Sequence, residues 1–598
     1  MCFLNRLEVI VSSSPDINNG RLKLVSIGCM ALFGAAVYSQ VRVQVLESGS
    51  IQQRAIDSKR FVVTESTEPK RGRILSSDGK VLARDQGVYA LHLGVDKVPK
   101  TAGFYLELAE AAGMSASEVR ELMSGSGRDI IWPPTLTAEQ RKKIQSVKSK
   151  WRADNLSADA TGERFYPLGA AASSVVGMIA KDGARKGIEA ALVEEISGIK
   201  GQATGLVDRT GAFLPMRMKD ETREVVHGSD VELTLDSHLQ QVAFEAVKRS
   251  VESHKAEAGI AIVLEPKSGD VLAMANWPTY DPKNGQGPDG KPADFNPNIM
   301  GYWEPGSTMK ILTEAKALED EKVSTNWTRV CNGTLTKGPY RIQCDKHAGT
   351  RAHGALDLER AIAMSCNVSA AEWACLIGYE PYKQFLSDLG FLSRPQIGLP
   401  YVKAGRIFEE EVAKTHQLMC WGFGQSLDVT PLNLAAGFSS LGNNGVWMQP
   451  RLIKSVGGVV RDPVEGKRVF SQDTCEKMMQ YMEAVFDSER GTGKSLKIEG
   501  YPMAGKTGTA QRLGRGSGYV ANFVGFLPAK NPKAMILVMI DHPTAKGYYG
   551  AQVAGPVYSE IARAVIRRFG IPPTSGTHEG VKAPVAPTVE VEVRQASQ

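Results

Sequence analysis

The chain has 598 residues, of which 42% are hydrophobic and 23% are charged. This composition is that of a globular protein, and the length favours two or more domains. The net charge of +6 comes from 71 basic and 65 acidic residues without a Lys/Arg-rich block, which argues against a nucleic-acid partner. Eight cysteines are too few for a disulfide scaffold, and the sequence contains neither a CxxC pair nor an HExxH motif. We therefore expect no metal and no other cofactor.

One apolar stretch near the N-terminus has the length of a membrane span. Residues 24–41 rise by about 1.5 Å each in a helix, which just crosses a hydrocarbon core of about 30 Å. Three interpretations stay open: a retained anchor, a signal peptide cut after Ser39, and a lipoprotein signal at Cys29. We adopt the retained anchor, although basic residues on both sides mark its orientation only weakly.

Residues 42–222 predict a mixed α/β region in which we find no catalytic motif. The stretch RGRILSSDGKVLARD at 71–85 predicts two strands joined by a turn at Asp78 and Gly79. Two helices are predicted at 104–113 and 115–125, each ending at a glycine. This part of the chain is therefore expected to be a scaffold.

A second domain is predicted from residue 223, beginning with a strand and an amphipathic helix capped by Asp236 or Ser237. Residues 259–276 predict two strands around a turn, and the apolar run at 533–541 predicts a central strand. A helix at 555–570 then carries an apolar face that is expected to cover the sheet. The domain is therefore of α/β class, and the residues after 570 lack the apolar content to fold.

The stretch EPGSTMK at 304–310 places Ser307 three residues before Lys310 in a predicted helix. Such residues share a helix face, so the lysine can accept the proton of the hydroxyl if burial or a nearby positive charge lowers its pKa. The helix N-terminus favours the neutral lysine and a developing oxyanion. The pattern SxxK alone is weak, because it recurs at Ser77 and at Ser197, and a helix cap is the alternative role for Ser307.

Two further motifs follow in the same domain. Ser365 opens SCN after a predicted helix, and Lys506 opens KTGT in a predicted strand whose glycines allow a substrate backbone to lie alongside. Threonine hydroxyls and a lysine suit a substrate carboxylate. Decoys occur as STN at 324–326 and KSG at 267–269, and KTGT can also be a solvated edge strand.

Cys331 and Cys344 bracket a loop-like segment. In an oxidising compartment they can form a disulfide. Two unpaired thiols are the alternative, and the sequence does not choose between them.

SxxK, SxN and KTG in this order form the motif set of penicillin-binding proteins and class A β-lactamases. The stretches RGRILSSDGKVLA, ERFYPLGAAASSVVGMI, WEPGSTMK, AGKTGTAQ and GYYGAQVAGPVYSEI extend this similarity, and the chain resembles a class B penicillin-binding protein from about residue 70 to 568. Its septal, FtsI-like branch is favoured. The resemblance implies an antiparallel sheet flanked by helices, a mixed α+β pedestal and one N-terminal transmembrane helix.

The resemblance also implies the roles of the site residues in a D,D-transpeptidase that cross-links peptidoglycan stem peptides. Ser307 would be the nucleophile on D-Ala-D-Ala and Lys310 its base. The remaining roles are a proton relay at Ser365, an amide contact at Asn367, the electrostatic field at Lys506, and substrate binding at Thr507, Gly508 and Thr509. The backbone N–H groups of Ser307 and Thr509 would form the oxyanion hole. Structural or partner-facing roles are implied for Arg71, Gly72, Arg164, Gly187 and Glu189.

Trp303 stands where the family usually has tyrosine or phenylalanine. Cys366 is permitted in the middle of SxN, but it places a thiol beside the nucleophile that can be oxidised in an exported protein.

The expected division is a cytoplasmic N-terminus at 1–23, an anchor at 24–41, a non-catalytic dimerisation-type pedestal at 42–222, a transpeptidase domain at 223–570 and a disordered tail at 571–598. The expected location is the inner membrane, with the catalytic domain in the periplasm. A multi-spanning membrane glycosyltransferase and division proteins are the implied partners, and β-lactams the implied inhibitors. The alternatives are an elongation-type transpeptidase, a β-lactamase or D,D-carboxypeptidase, and a non-catalytic β-lactam-binding sensor.

Overall fold

The computed structural model describes residues 19–48, 50, 62–94, 98–124, 130–180, 183, 185–207, 213–215, 223–291, 293, 295–345, 350–407, 414–488, 491–512 and 518–574. The chain divides into two compact units. One unit draws on Met1–Pro69 and Gly198–His227, and the other on Lys70–Ser197 and Gly228–Gln598. The predicted tail lies outside the described residues beyond residue 574, as does the predicted cytoplasmic segment up to residue 18.

The first unit contains the apolar segment as a helix. The α-helix Asn19–Val41 continues into a π-helical turn at Arg42–Leu46, and the stretch Leu24–Leu46 is long and apolar enough to cross a membrane. The helix therefore extends beyond the predicted limit at residue 41. The same unit holds an antiparallel sheet in the order Val62–Thr67, Gly201–Val207, Phe213–Pro215.

The second unit contains a seven-stranded sheet built around the long strand Val81–Leu93. The order is Val459–Val460, Ile453–Val456, Val231–Leu233, Ile74–Leu75, Val81–Leu93 and Ile130–Leu136, and Leu156–Phe165 also pairs with Val81–Leu93. The turn predicted at Asp78 and Gly79 is confirmed. It joins the strands Ile74–Leu75 and Val81–Leu93, and Gly79 has a φ of 75°. Because Val231–Leu233 runs parallel to Ile74–Leu75, this sheet draws strands from both sides of the predicted boundary at residue 223.

Short helices accompany this sheet. They are Ala102–Ala112, Ala116–Ser124, Ala138–Trp151, Ala170–Val176, Gly187–Ala191 and Val193–Ser197, with a small hairpin of Met178–Ile179 and Arg185–Lys186. Both helices predicted in this region are confirmed. A small core of its own forms around Phe104, Leu108 and Ile144.

A second sheet, antiparallel and five-stranded, forms from strands between residues 258 and 541. Its order is Val271–Trp277, Ala258–Leu264, Ala534–Asp541, Tyr519–Leu527 and Ala504–Gln511. Every residue of Ala534–Asp541 is buried, so both faces of the sheet are covered. The helices Ser237–His254 and Gly555–Phe569 pack on this sheet, which confirms the predicted terminal helix. The strand that carries KTGT lies at the sheet edge.

The remaining elements complete the second unit, and among them Gln472–Asp487, Gly306–Thr308 and Gly550–Val553 pack on the edge strand. The helices are Pro297–Met300, Met309–Glu319, Leu358–Ala363, Asn367–Ile377, Tyr379–Asp388, Lys414–Gly422, Pro431–Gly442, Gln472–Asp487 and Gly550–Val553, with 3₁₀ turns at Gly306–Thr308 and Lys494–Leu496. Two-stranded ribbons pair Thr328–Cys331 with Gly354–Asp357, Thr334–Lys337 with Tyr340–Gln343, Arg406–Ile407 with Leu427–Asp428, and Val446–Trp447 with Lys467–Arg468. Asp236, not Ser237, caps the helix that follows it, by accepting from two backbone N–H groups.

Candidate active site

Ser307 lies in the 3₁₀ turn Gly306–Thr308, directly before the helix Met309–Glu319. Gly306 has a φ of 57°, and a Cβ at this position would lie 2.7 Å from the Cβ of Ala510. The turn is thus packed against the KTGT strand at a distance that only glycine allows. No side-chain capping bond is made at the start of this turn or of the helix that follows it. The Ser307 hydroxyl instead accepts from Lys310, so it does not act as a helix cap.

Lys310 is buried between two serine side chains. Its Nζ donates to Ser307 Oγ at 2.9 Å, to Ser365 Oγ at 2.9 Å and to the Ser365 carbonyl oxygen at 2.7 Å. Only 1% of the residue is exposed, and this burial lowers the pKa of Lys310 to about 8 although nearby negative groups, led by Asp345, oppose the shift. The amine therefore reaches its neutral, proton-accepting form close to physiological pH.

The SCN motif occupies the turn between the helices Leu358–Ala363 and Asn367–Ile377, as the sequence predicts. Ser365 has a φ of 56°, in the left-handed region, and this conformation accompanies the contact of both its oxygens with Lys310. Asn367 begins the second helix and donates from Nδ2 to the carbonyl oxygen of Gln343 at 3.0 Å. Both polar side chains of the motif face the cleft described below.

The KTGT motif lies on the predicted strand, and its side chains differ in exposure. Lys506 is fully buried and donates to the carbonyl oxygen of Thr507 at 2.9 Å. Burial, and to a smaller degree the charge of Lys310, lower the pKa of Lys506 well below its usual value. Thr507 pairs with the hydroxyl of Thr492 at 2.8 Å, and Thr509 Oγ1 accepts from Gly550 N at 3.2 Å.

Asn522 links this strand to the nucleophile and was not predicted. It is buried on the neighbouring strand, and its Nδ2 donates to the carbonyl oxygen of Pro305 at 2.8 Å. A Cβ at Gly508 would overlap Asn522 Oδ1, so the glycine makes room for this side chain. The residue carries no motif of its own, and only the strand pairing of Gly508 with Asn522 brings it to the site.

A cleft of about 700 Å³ joins the three motifs. Its lining includes the predicted residues Ser307, Ser365, Asn367, Thr507, Gly508 and Thr509. Lys310 and Lys506 are not among the lining residues, which agrees with their burial. The sequence patterns gave no sign of six further lining residues, which come from separate segments of the chain: Arg341 on the strand Tyr340–Gln343, and Asp345, Arg351, Thr492, Tyr548 and Tyr549 outside the helices and strands.

The two other SxxK sequences, at Ser77 and at Ser197, form hydrogen bonds and ion pairs with residues outside the cleft. Ser77 Oγ donates to the carbonyl oxygen of Leu235, Ser197 Oγ accepts from Arg71, and Lys200 pairs with Glu68. None of these residues lines the cleft.

Cys331 and Cys344 are both buried, and their sulfur atoms are 3.8 Å apart. A disulfide requires about 2.05 Å, so the two are unbonded in the structure.

Outside the catalytic region, Glu189 is a buried carboxylate held by two arginines. Arg164 Nε lies 2.6 Å and Arg71 Nη2 2.9 Å from its oxygens, and Arg164 also reaches Asp85 at 3.0 Å. At Gly187, whose φ is 58°, a Cβ would lie 2.4 Å from the carbonyl oxygen of Val175. These contacts fix the local backbone, and the structural or partner-facing roles that the resemblance implies for this set stay predictions.

Two parts of the chain match known protein families. Residues 259–563 match the penicillin binding protein transpeptidase domain, and residues 66–233 match the penicillin-binding protein dimerisation domain. The chain is 28% identical over 579 residues to the probable peptidoglycan D,D-transpeptidase PenA of Neisseria gonorrhoeae, covering 95% of this chain and 96% of that protein. It is 26% identical over 563 residues to the peptidoglycan D,D-transpeptidase FtsI of Escherichia coli K12, covering 92% of each.

A solved structure gives the same assignment. Penicillin binding protein 3 of Mycobacterium tuberculosis, complexed with aztreonam, superposes with a TM-score of 0.64 at 25% identity, covering 85% of this chain and 98% of that one. The three motifs, the cleft that joins them and the two matched domains all indicate the same family. The chain belongs to the class B penicillin-binding proteins, the family of peptidoglycan D,D-transpeptidases.

Proposed function

We propose that this protein cross-links peptidoglycan stem peptides through an acyl-enzyme on Ser307 during septal wall synthesis. The observation that carries the assignment of the nucleophile is the contact of the buried Lys310 Nζ with Ser307 Oγ at 2.9 Å. A serine hydroxyl needs a base to become a nucleophile near neutral pH, and a lysine with a pKa of about 8 can serve as one.

In the acylation step, neutral Lys310 takes the proton of Ser307 while Ser307 Oγ attacks the carbonyl carbon between the two D-Ala residues of the donor stem. The backbone N–H groups of Ser307 and Thr509 stabilise the oxyanion. Lys310 then returns the proton through Ser365 to the leaving amine, and the two 2.9 Å contacts of Nζ with the serine hydroxyls support this relay. The C–N bond breaks and the terminal D-Ala leaves.

In the second step, an amine of a neighbouring stem attacks the ester carbonyl. The same lysine and serine accept the amine proton and return it to Ser307 Oγ as the ester bond breaks. A new amide bond forms and the enzyme is regenerated.

Substrate positioning falls to the cleft walls. Asn367 holds a backbone amide of the stem, and Thr507 and Thr509 hold its terminal carboxylate across Gly508. Their position in the cleft lining supports these roles. Lys506 lies buried beside this wall, where it contributes to the electrostatic field of the site.

We also propose the cellular setting. The helix Leu24–Leu46 anchors the chain by a single span in the inner membrane, with the catalytic domain in the periplasm. The predicted divisions at residues 222 and 570 are part of this proposal, and the end of the anchor moves from the predicted residue 41 to Leu46. A multi-spanning membrane glycosyltransferase supplies glycan strands, and division proteins recruit the complex. The similarity to FtsI supports the septal assignment.

The activity is tested with the full chain in detergent and un-cross-linked peptidoglycan strands. We expect cross-linked muropeptide dimers and an equal release of D-Ala, both lost in Ser307→Ala. Release of D-Ala without dimers would indicate a D,D-carboxypeptidase, and neither product would indicate a non-catalytic sensor.

The septal role needs a separate experiment. A fluorescent fusion should concentrate at the division site, and depletion should produce filaments. Signal along the lateral wall with rounded cells would assign the protein to elongation instead.

A further inference from the structure

Four buried side chains form a compact cluster beside the SCN motif. They are Cys331, Cys344, His353 and Cys366, and their Sγ and ring nitrogen atoms lie within 4.8 Å of one another. The three cysteines are at most 1% exposed and His353 is 8% exposed. None of the roles in the proposed reaction uses these groups.

Four of the six distances in the cluster match those between the ligands of one tetrahedral metal ion. The three sulfur–sulfur distances are 3.8 Å, 3.7 Å and 3.6 Å, and Cys331 Sγ lies 3.7 Å from His353 Nδ1. Zinc binds thiolates at about 2.3 Å and imidazole at about 2.0–2.1 Å, so a tetrahedral site places two sulfurs about 3.8 Å apart and a sulfur and a nitrogen about 3.6 Å apart. Three Cys and one His form a common ligand set for structural zinc.

A disulfide explains the cluster less well. Each sulfur is about equally far from the other two, so no pair is singled out for bonding. Any single disulfide would leave the third cysteine and the histidine clustered without a role. Hard cations such as Ca²⁺ and Mg²⁺ prefer oxygen ligands, whereas thiolates and imidazole in tetrahedral arrangement select zinc.

The backbone around the cluster is arranged to support thiolates. The N–H of Gly333 donates to Cys331 Sγ and the N–H of Ser369 to Cys366 Sγ, each at 3.4 Å, and Val368 provides a backbone hydrogen bond to Cys344. Cys366 also caps the N-terminus of the helix Asn367–Ile377, which favours negative charge. Such outer contacts orient metal ligands and moderate their charge.

The ligands come from separate segments that the backbone already holds together. Cys331 ends one strand of the ribbon with Gly354–Asp357, and the N–H of His353 donates to the Cys331 carbonyl oxygen at 3.1 Å. The N–H of Cys344 donates to the Gly333 carbonyl oxygen at 3.0 Å. Cys366 alone belongs to the catalytic turn, so an ion here connects the ribbon to Ser365 and Asn367.

We propose that Cys331, Cys344, His353 and Cys366 bind one zinc ion, which holds the turn Ser365–Asn367 in place against the ribbon. Four protein ligands leave no open coordination position, so the ion is structural and takes no part in the chemistry. Binding displaces the thiol protons to solvent as three sulfur–metal bonds and one nitrogen–metal bond form. The inference concerns the fold around the site and does not depend on the proposed reaction.

The test begins with the metal content of the full chain, purified in detergent without an affinity metal and dialysed against a weak chelator. Mass spectrometry of the elements should find one zinc per chain. Cys331→Ser and Cys366→Ser should lose it, whereas Cys475→Ser, which removes a buried thiol outside the cluster, should keep it. Wild-type protein without zinc would overturn the proposal, as would equal zinc in Cys331→Ser and the wild type.

A second measurement uses only the wild type and so does not depend on the folding of a variant. A strong chelator should remove the ion, lower the midpoint of thermal unfolding and slow acylation by penicillin, and added zinc should restore both. Alkylation followed by mass analysis should find the three thiols protected before removal and reactive afterwards. A covalent Cys331–Cys344 bond in the native protein would contradict the proposal, as would acylation and unfolding that the chelator leaves unchanged.

Discussion

Lys310 Nζ lies at the same distance, 2.9 Å, from the hydroxyl oxygen of Ser307 as from that of Ser365. One buried amine thus contacts both the residue that attacks and the residue that relays the proton. Burial keeps this amine close to its neutral form, with a pKa of about 8. Acylation should therefore depend on pH through the protonation state of Lys310.

The rate of acylation by penicillin should rise with pH up to about 8 and level off above it. The lysine pKa is lowered, so the neutral base becomes more abundant as pH rises through that value, by about tenfold per pH unit below it. Stopped-flow measurement with a fluorescent penicillin gives the profile. A rate that falls as pH rises from about 6 to 9 would exclude neutral Lys310 as the base.

Lys310→Arg should reduce acylation by about 10²- to 10⁴-fold, because arginine keeps its proton at every usable pH. The exposed Lys322→Arg is the matched control and should acylate at the wild-type rate. Equal rates in the two variants would contradict the role of Lys310.

Asn522→Ala should impair acylation although the residue does not line the cleft. The substitution removes the hydrogen bond to the Pro305 carbonyl oxygen, which holds the segment before Ser307. A displacement of the nucleophile by about 1 Å can reduce the rate by about 10²-fold. The rate constant should fall in Asn522→Ala and stay unchanged in the exposed Asn326→Ala. Similar rates in both variants would show that Asn522 does not position Ser307.

Glu189→Gln should destabilise the protein by about 3–5 kcal/mol, the usual effect of removing one partner of a buried ion pair. Arg164 and Arg71 would then face each other without the carboxylate that separates them. Urea unfolding followed by fluorescence should give a lower midpoint for this variant than for the exposed Glu194→Gln. Equal urea midpoints for Glu189→Gln and Glu194→Gln would show that Arg164 and Arg71 find other partners when the carboxylate is removed.

Glu314→Gln should stabilise the protein at neutral pH. The carboxyl is fully buried, neither oxygen has a hydrogen-bond partner among the described residues, and burial raises its pKa well above 4.5. The unfolded chain therefore releases a proton that the folded chain retains, and wild-type stability falls as pH rises from 4.5 toward the raised value. The advantage of the variant over wild type should grow through this range.

Thermal unfolding at several pH values measures this difference, with the exposed Glu380→Gln as control. An advantage that is constant with pH, or absent, would show that Glu314 is ionised in the folded protein.

Elements with strong local patterns were predictable from the sequence. The helix predicted after Ser307 is present as Met309–Glu319, and the continuous apolar run Ala534–Asp541 is a central strand. The Ser307–Lys310 contact follows from helical spacing alone. The contact of Ser365 with the same amine could be predicted only from the set of three motifs, because no local rule relates residues so far apart in sequence.

Features that depend on tertiary packing were not predictable. Asn522 reaches the site only through strand pairing, and the burial of Lys506 depends on the elements packed around the edge strand. The sequence analysis considered Cys331 and Cys344 as a possible pair, whereas His353 and Cys366 join them only in the fold. The irregular spacing of these four residues matches no common metal motif.

Intact-mass measurement decides whether Ser307 is the nucleophile of an acyl-transfer enzyme. The full chain in detergent and its Ser307→Ala variant are each incubated with a fluorescent penicillin. We predict a long-lived adduct of one drug molecule on the wild type and none on the variant. An equal adduct on Ser307→Ala, or rapid turnover of the drug without any adduct, would rule out a stable acyl-enzyme on Ser307.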